Sequence, residues 1–377
     1  IFVGLERASL VLVYKDEGPG QAPRYLQALP TGIGPEGLLA IPQRDLFVSA
    51  SETDAGGKGG ARSAVMIYRR AEQAAAYPTI HSADENGLPI GWGALSGLAA
   101  DHTAPGKLFS ITDSAYAPSR ILEIDAAAKP AKIAGAITVT KDGKPAAYDL
   151  EGIAVRAGGG FWLASEGNPE KKDGPLPDLL LRVSAKGEVE EEIRLPEELA
   201  KHAVRFGFEG VTVTGTGAEE TVWLAVQREW KDDPKGKTKI LSYKPATKAW
   251  GVLHYPLTQP ASGHWMGLSE LVSLGDDRFA VIERDNAFGA KAFKTIQAFS
   301  VKGLTPAAIG SADIPTVAKS LLRDLTPDLM KAGGYGLDKV EGMTVDKAGN
   351  LFVVTDNDGV DDSSGETQFF AFGPLPR

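Results

Sequence analysis

Leu150-Glu151-Gly152-Ile153-Ala154-Val155, a Gly-rich turn, and then Phe161-Trp162-Leu163-Ala164-Ser165-Glu166 decide the fold. Two short apolar runs rich in β-branched and aromatic residues, parted by glycines, read as an antiparallel strand pair. The first strand opens with Glu-Gly and the second, led by an aromatic residue, ends in an acid. Other copies open at Glu36-Gly37, Glu209-Gly210 and Glu341-Gly342, with second strands ending at Glu52, Gln227 and Asp356. Two variants share Trp-x-x-Leu-Ser, at Trp92 to Ser96 and Trp265 to Ser269, and their second strands end at Asp113 and Glu283. At the N-terminus Phe2-Val3-Gly4-Leu5-Glu6 reads as a second strand whose first strand is missing.

The unit returns after roughly 55 to 70 residues, close to the period of a propeller blade with loop insertions. Third-strand candidates follow each copy, at residues 9–14, 64–68, 120–124, 179–183, 239–243, 295–299 and 368–372, and a polar edge strand is expected at 190–195. Four short antiparallel strands make a blade. The chain is therefore an all-β propeller of seven blades, or six if the half unit at Phe2 finds no partner. Helix is expected only in two short insertions, residues 196–206 and 315–332. The first has Pro196 and a Glu197-Glu198 pair at its start, favourable beside the helix dipole's positive end. Residues 1–377 read as a single propeller domain, expected to be the fragment of a longer chain whose first blade is incomplete at Ile1 and finds its partner strand either in a missing upstream part or at the C-terminus.

Composition bounds the function. The formal net charge is −9, which disfavours nucleic acid, whose phosphates need a basic surface. The absence of cysteine removes disulfides and thiolate chemistry. No apolar run is long enough for a membrane span. Neither a phosphate-binding Gly-Lys-Ser/Thr loop nor a Gly-x-Ser-x-Gly elbow occurs, and the five histidines lack metal-ligand spacing.

What remains are the acids. In a blade the start of the first strand and the end of the second are neighbours on one face, so Glu151 is expected beside Glu166, Glu36 beside Glu52 and Glu341 beside Asp356. Strict alternation would turn Glu151, Ile153 and Val155 to one side. Carboxylates gathered at one mouth repel, and raised pKa values, cationic side chains or bound cations must compensate. Each glutamate either accepts backbone N–H bonds from the next blade or serves as a ligand. As ligands, Glu36, Glu151, Glu166, Glu209, Glu283, Asp285, Asn286, Glu341 and Asp356 supply the hard oxygens that Ca²⁺ takes. Residues 356–362 resemble a calcium loop in composition. Arg228 and Arg284 follow second-strand ends and either fork onto a phosphate or carboxylate or pair with the repeat acids. His264 is the histidine placed for acid–base work.

The succession Asp149-Leu-Glu-Gly-Ile-Ala-Val, Gly207-Phe-Glu-Gly-Val-Thr-Val, Trp265-Met-Gly-Leu-Ser-Glu, Ile282-Glu-Arg-Asp-Asn and Gly365-Glu-Thr-Gln-Phe resembles the bacterial "esterase-like activity of phytase" family over roughly residues 90 to 372. The first 70 residues, with Phe2-Val-Gly-Leu-Glu-Arg and Gly34-Pro-Glu-Gly-Leu, are similar to choice-of-anchor-type propeller repeats. The resemblance implies an exported bacterial protein, secreted or periplasmic, and calcium-dependent phosphoester hydrolysis. The leading expectation is thus a metal-dependent phosphoesterase acting on a small phosphate or carboxylic ester. A calcium-dependent lactonase or carboxylesterase, and a non-enzymatic binding propeller of a larger secreted protein, stay open beside it.

Overall fold

The Glu-Gly hairpins form as the repeat requires. The structure, a computed structural model, describes residues 1–377 except 57–60, 74, 262, 338, 361–364 and 376–377. Leu150–Val155 pairs antiparallel with Phe161–Ser165, which pairs with Leu179–Val183 and then Val189–Arg194. Four further sheets begin the same way, from Leu95–Ala100, Phe208–Thr214, Met266–Gly275 and Val340–Val345, with five, five, four and three strands among the described residues. The third strands lie where the sequence puts them, within a residue or two. The first helix is shorter than expected, α1 at Glu197–Ala200. In the second insertion only α2, Thr326–Lys331, is helical, because Lys319–Asp324 is taken as the outer strand of its sheet.

Five sheets close a ring. Their first strands pack side by side in the order 95, 150, 208, 266, 340 and back to 95. The glycine after the repeat Glu explains how closely they approach. A Cβ on Gly152 would stand 2.3 Å from the Glu209 carbonyl oxygen, and one on Gly210 would stand 2.1 Å from the Leu271 nitrogen. Between each pair of neighbouring sheets lies one apolar core. Phe109 and Phe161 meet in one, Trp162 and Phe208 in the next, Trp223 and Phe279 in the third, Ile282 and Met343 in the fourth. A fifth, with Leu98, Leu122, Val354 and Phe369, joins the last sheet to the first. Among the described residues five blades, rather than the expected seven or six, surround the axis.

Phe2–Leu5, Leu10–Lys15 and Arg24–Pro30 form one further sheet, and Pro35–Ile41, Leu46–Ser51 and Ala64–Arg69 another. Both stand outside the ring, with few buried side chains.

Every inner strand of the ring slips register by a bulge at the repeat Glu or its Ser substitute: at 95/97, 150/152, 208/211, 268/271 and 340/342. A bulge bends the strand and re-aims a side chain. The simple alternation expected for Glu151, Ile153 and Val155 is therefore interrupted between Glu151 and Ile153. At the axis itself, one blade carries Glu270 where the others have Gly97, Gly152, Gly210 and Gly342. Its carboxylate, 1% exposed, accepts N–H bonds from Leu98 at 2.9 Å, Leu271 at 3.0 Å and Met343 at 3.4 Å, tying three blades together.

Candidate functional site

The bulged starts and second-strand ends meet at one mouth of the ring. Asp149, Glu151 and Glu166 bring one carboxylate oxygen each within 4.8 Å of one another, and so do Asp113, Asp356 and Asp358. The two triads adjoin: Asp149 accepts the Ser114 N–H at 3.2 Å, one residue beyond Asp113. Glu209 and Glu341 complete the cluster from the third and fifth blades, both buried.

Burial and crowding raise several of these carboxyls. Burial, then the charges of Glu209 and Glu341, drive Glu151 well above its ordinary value. Burial and Asp149 lift Glu166 to about 8, against the Gly207 N–H that it accepts at 2.8 Å. Asp113 rises to about 6, chiefly through burial. Glu209 is raised by burial and by Glu341, and Gln227 donates to it. Glu341 behaves oppositely: burial would raise it, but Lys339 and Arg284 outweigh that and lower it. Arg284 donates to Glu341 and, at 2.8 Å, to Ser269; Lys339 bonds Asp358 and lies 3.6 Å from Asp356. The Asp113 triad is thus partly neutralised from within. Asp149, Glu151 and Glu166 form no ion pair among the described residues.

Aromatic and cationic side chains surround the turn at Gly207, whose N–H Glu166 accepts. Arg228 lies over Phe206 and Trp265, 4.8 and 4.9 Å from their ring centroids. Arg205 lies over the other reach of Phe206 at 5.1 Å. Phe206 adopts φ +72°, unusual for a bulky residue, and the backbone around it is overdetermined. Glu166 holds the Gly207 N–H, while Asp178, buried and raised to about 6 by that burial, accepts from Gly167 at 2.9 Å and Phe208 at 3.3 Å.

Of the acids expected as ligands, Glu151, Glu166, Glu209, Glu341 and Asp356 come together. Glu36 does not: it is exposed on a strand outside the ring. Glu283 lies within its blade, fully buried, bound by Lys319 at 2.6 Å and by Tyr255 at 3.2 Å. Asp285 pairs with Lys294 at 2.9 Å. Asn286 accepts from the Trp265 N–H at 3.1 Å and lies 3.2 Å from His264 Nδ1, so both serve the Trp265 turn, with His264 exposed. Arg284 is a buried partner of Glu341 rather than an open anion clamp. Part of the calcium-like stretch, residues 361–362, lies outside the described residues.

The site also contains residues that the sequence reading did not choose as ligands: Asp113, Asp149, Asp358, Lys339 and Arg205. Asp113 stands at a second-strand end and Asp358 in the calcium-like stretch, and a signal exists for two of the others. The position two before the repeat Glu holds Asp149 in one blade and Lys339 in another, and that side chain flanks the bulge.

A family described as phytase-like, esterase-like activity of phytase, matches residues 90–359. No curated protein matches the chain. Among solved structures the chain is similar to a hydrazine synthase chain of Kuenenia stuttgartiensis, with 9% identity, TM-score 0.34, and 98% and 91% of the two chains covered. The WD40 repeats of RRP9 align at 10% identity and TM-score 0.34, covering all of both chains. A putative 6-phosphogluconolactonase from Bacteroides uniformis aligns at 10% identity and TM-score 0.32, covering 97% and 93%. Among the described residues no helix is long and apolar enough to cross a membrane.

Proposed function

The chain belongs to the phytase-like family, esterase-like activity of phytase, and from that premise we propose that it is a calcium-dependent esterase or phosphoesterase of small molecules working at the acidic mouth. One observation carries this reading: Asp149, Glu151 and Glu166 converge with no ion pair among the described residues, where burial and mutual repulsion raise the pKa of Glu151 and Glu166. A cation there relieves a strain that the fold builds in. The donor set is all carboxylate oxygen, which suits a hard ion such as Ca²⁺ and not zinc or copper. Three carboxylates leave room for water and substrate in a shell of six to eight oxygens.

When bound, such an ion supplies Lewis acidity toward an ester or phosphoryl oxygen and lowers the pKa of water. The chain's own residues do the rest. Arg228, fixed between Phe206 and Trp265, offers a charged fork toward an anionic group in front of the acids. Asp113, at about 6, takes or gives a proton near neutral pH. Lys339 and Arg284 hold Glu341 below its ordinary value, so negative charge persists there beside Glu151 and Glu209, whose values are raised. The reading suits a secreted or periplasmic protein, where calcium is plentiful.

Turnover of aryl phosphates and aryl acetates, with calcium and with chelator, tests the proposal. Hydrolysis that needs calcium, and that falls on the order of 10²-fold in Arg228→Ala for the anionic ester, is expected. A wild-type protein inert toward both ester classes at millimolar calcium ends the hydrolase reading and leaves a binding propeller.

A further inference from the structure

Beside the acidic mouth lies a second, chemically different space. A cavity of about 870 Å³ opens between the N-terminal sheet and the segment that leads into the first blade. Tyr14, Tyr25, His81 and Trp92 line it together with leucines 5, 10 and 12. Tyr25 stands edge-on to His81, ring centroids 4.5 Å apart, and edge-on to Tyr14 at 5.7 Å. Burial lowers the His81 pKa and raises that of Tyr25, so both rings stay uncharged near neutral pH. Asp84, exposed, is the single carboxylate among the described lining residues, and no lysine or arginine joins it.

At one end the cavity adjoins an acid triad. Asn357 lines the cavity and lies in the chain between Asp356 and Asp358, both of one acid triad. The Asn357 amide accepts the Ala94 N–H at 2.7 Å, and the Ala94 carbonyl in turn accepts the Asp113 N–H at 3.1 Å. Cavity and triad therefore share one stretch of backbone. The size is that of pockets that enclose drug-sized ligands, which are mainly apolar and aromatic.

We propose that this cavity binds the uncharged aromatic or apolar part of the substrate, while its ester group lies over the neighbouring acids. The inference rests on the hydrolase reading for the ester group, but the cavity's preference for an aromatic ligand stands on its own lining. It makes the protein's substrate an aryl or bulky alkyl ester and not a polyphosphorylated sugar, whose charges find no partner on these walls. The wall-forming residues 5–28 and 79–89 precede the family match, so the selectivity belongs to this chain's N-terminal sheet.

The test uses the full chain, 2-naphthol as a ligand with no ester, and naphthyl and methyl esters of the same acid. Ala8→Trp, on a turn at the cavity wall, fills the space. We expect saturable naphthol binding by fluorescence anisotropy, weakened about ten-fold or more by Ala8→Trp, the order of effect seen when an apolar pocket loses fit. The variant should lower kcat/KM for the naphthyl ester by a similar factor and leave the methyl ester unchanged. Naphthol binding lost in Ala8→Trp in a protein that hydrolyses neither ester supports the cavity and ends the hydrolase reading. Equal naphthol binding in both proteins, or equal loss on both esters, overturns the cavity and leaves hydrolysis standing. If Ala8→Trp does not fold, Tyr25→Ala takes its place: undiminished naphthol binding there overturns the proposal.

Discussion

Glu36 and Glu151 occupy the same motif in two regions that differ in one respect, the presence of a neighbour. Pro35-Glu36-Gly37-Leu38 and Leu150-Glu151-Gly152-Ile153 both open a strand, and both slip register at the glutamate. In the ring, the next blade lies against Gly152, and an apolar core fills the space between the sheets. In the N-terminal sheets, Gly37 has only Ala50 of its own sheet nearby, at 3.3 Å, and Val65 and Ile67 remain 65% and 68% exposed. Local sequence makes the hairpin and the bulge. The charge cluster needs the closed ring, because only there do successive glutamates face one axis in a poorly solvated space.

The sharpest way to break this comparison is a single methyl group. Gly152→Ala places a Cβ 2.3 Å from the Glu209 carbonyl, and overpacking of that kind should cost about 3 kcal/mol. Gly37→Ala, whose one close neighbour is the small Ala50 side chain at 3.3 Å on an exposed sheet, should leave stability within about 0.5 kcal/mol. Urea unfolding of the two variants measures both, and equal effects would mean that the ring is no tighter than the outer sheets.

Next is a pair of ion pairs. Arg284→Ala strips Glu341 of a partner in a buried site and should destabilise by about 3 kcal/mol, the usual result of leaving one charge of a buried pair alone. Arg7→Ala breaks the exposed contact with Glu6 at 3.9 Å, and its melting temperature should match wild type. A stable Arg284→Ala protein that has lost only turnover would return Arg284 to the catalytic role expected from sequence.

Calcium sharpens the contrast further. An ion that binds the native state at about 100 times its Kd adds about 2.7 kcal/mol, which chelator should remove. Glu151→Gln should abolish most of that gain, and Glu36→Gln none of it. A calcium-induced rise in Tm that Glu151→Gln leaves intact would assign the ion elsewhere.

The smallest expected effect concerns Glu270 and pH. Burial raises its carboxyl well above 4.5, although three backbone N–H groups oppose the rise. The folded state then holds a proton that the unfolded state has released, so this group's contribution to stability is full below about pH 4.5 and declines as pH rises. Glu270→Gln should therefore be close to wild type in acid and gain on it toward alkaline pH. Parallel stability profiles for the two proteins would show that burial does not raise the Glu270 carboxyl.

Much of this architecture was legible in the chain. The hairpin unit, the strands that follow it and the acids at strand ends are local patterns, set by β-propensity, glycine turns and a repeating order. Glu151, Glu166, Glu209, Glu341 and Asp356 were found because they share that order. Glu283, Asp285 and Asn286 were read as ligands on the same grounds, yet Lys319, Lys294 and the Trp265 turn claim them. A partner tens of residues away decides whether an acid is free or spoken for, and no local pattern carries that.

The sequence by itself therefore determined the all-β fold, the repeat and an abundance of carboxylates, since each follows from neighbouring residues. Tertiary structure alone decided that, among the described residues, five sheets close and the two three-stranded N-terminal sheets stay outside, because closure depends on whether the apolar faces of the last and first blades fit. It also decided which acids lack a cationic partner among the described residues, because desolvation and Coulomb forces act through space and not along the chain.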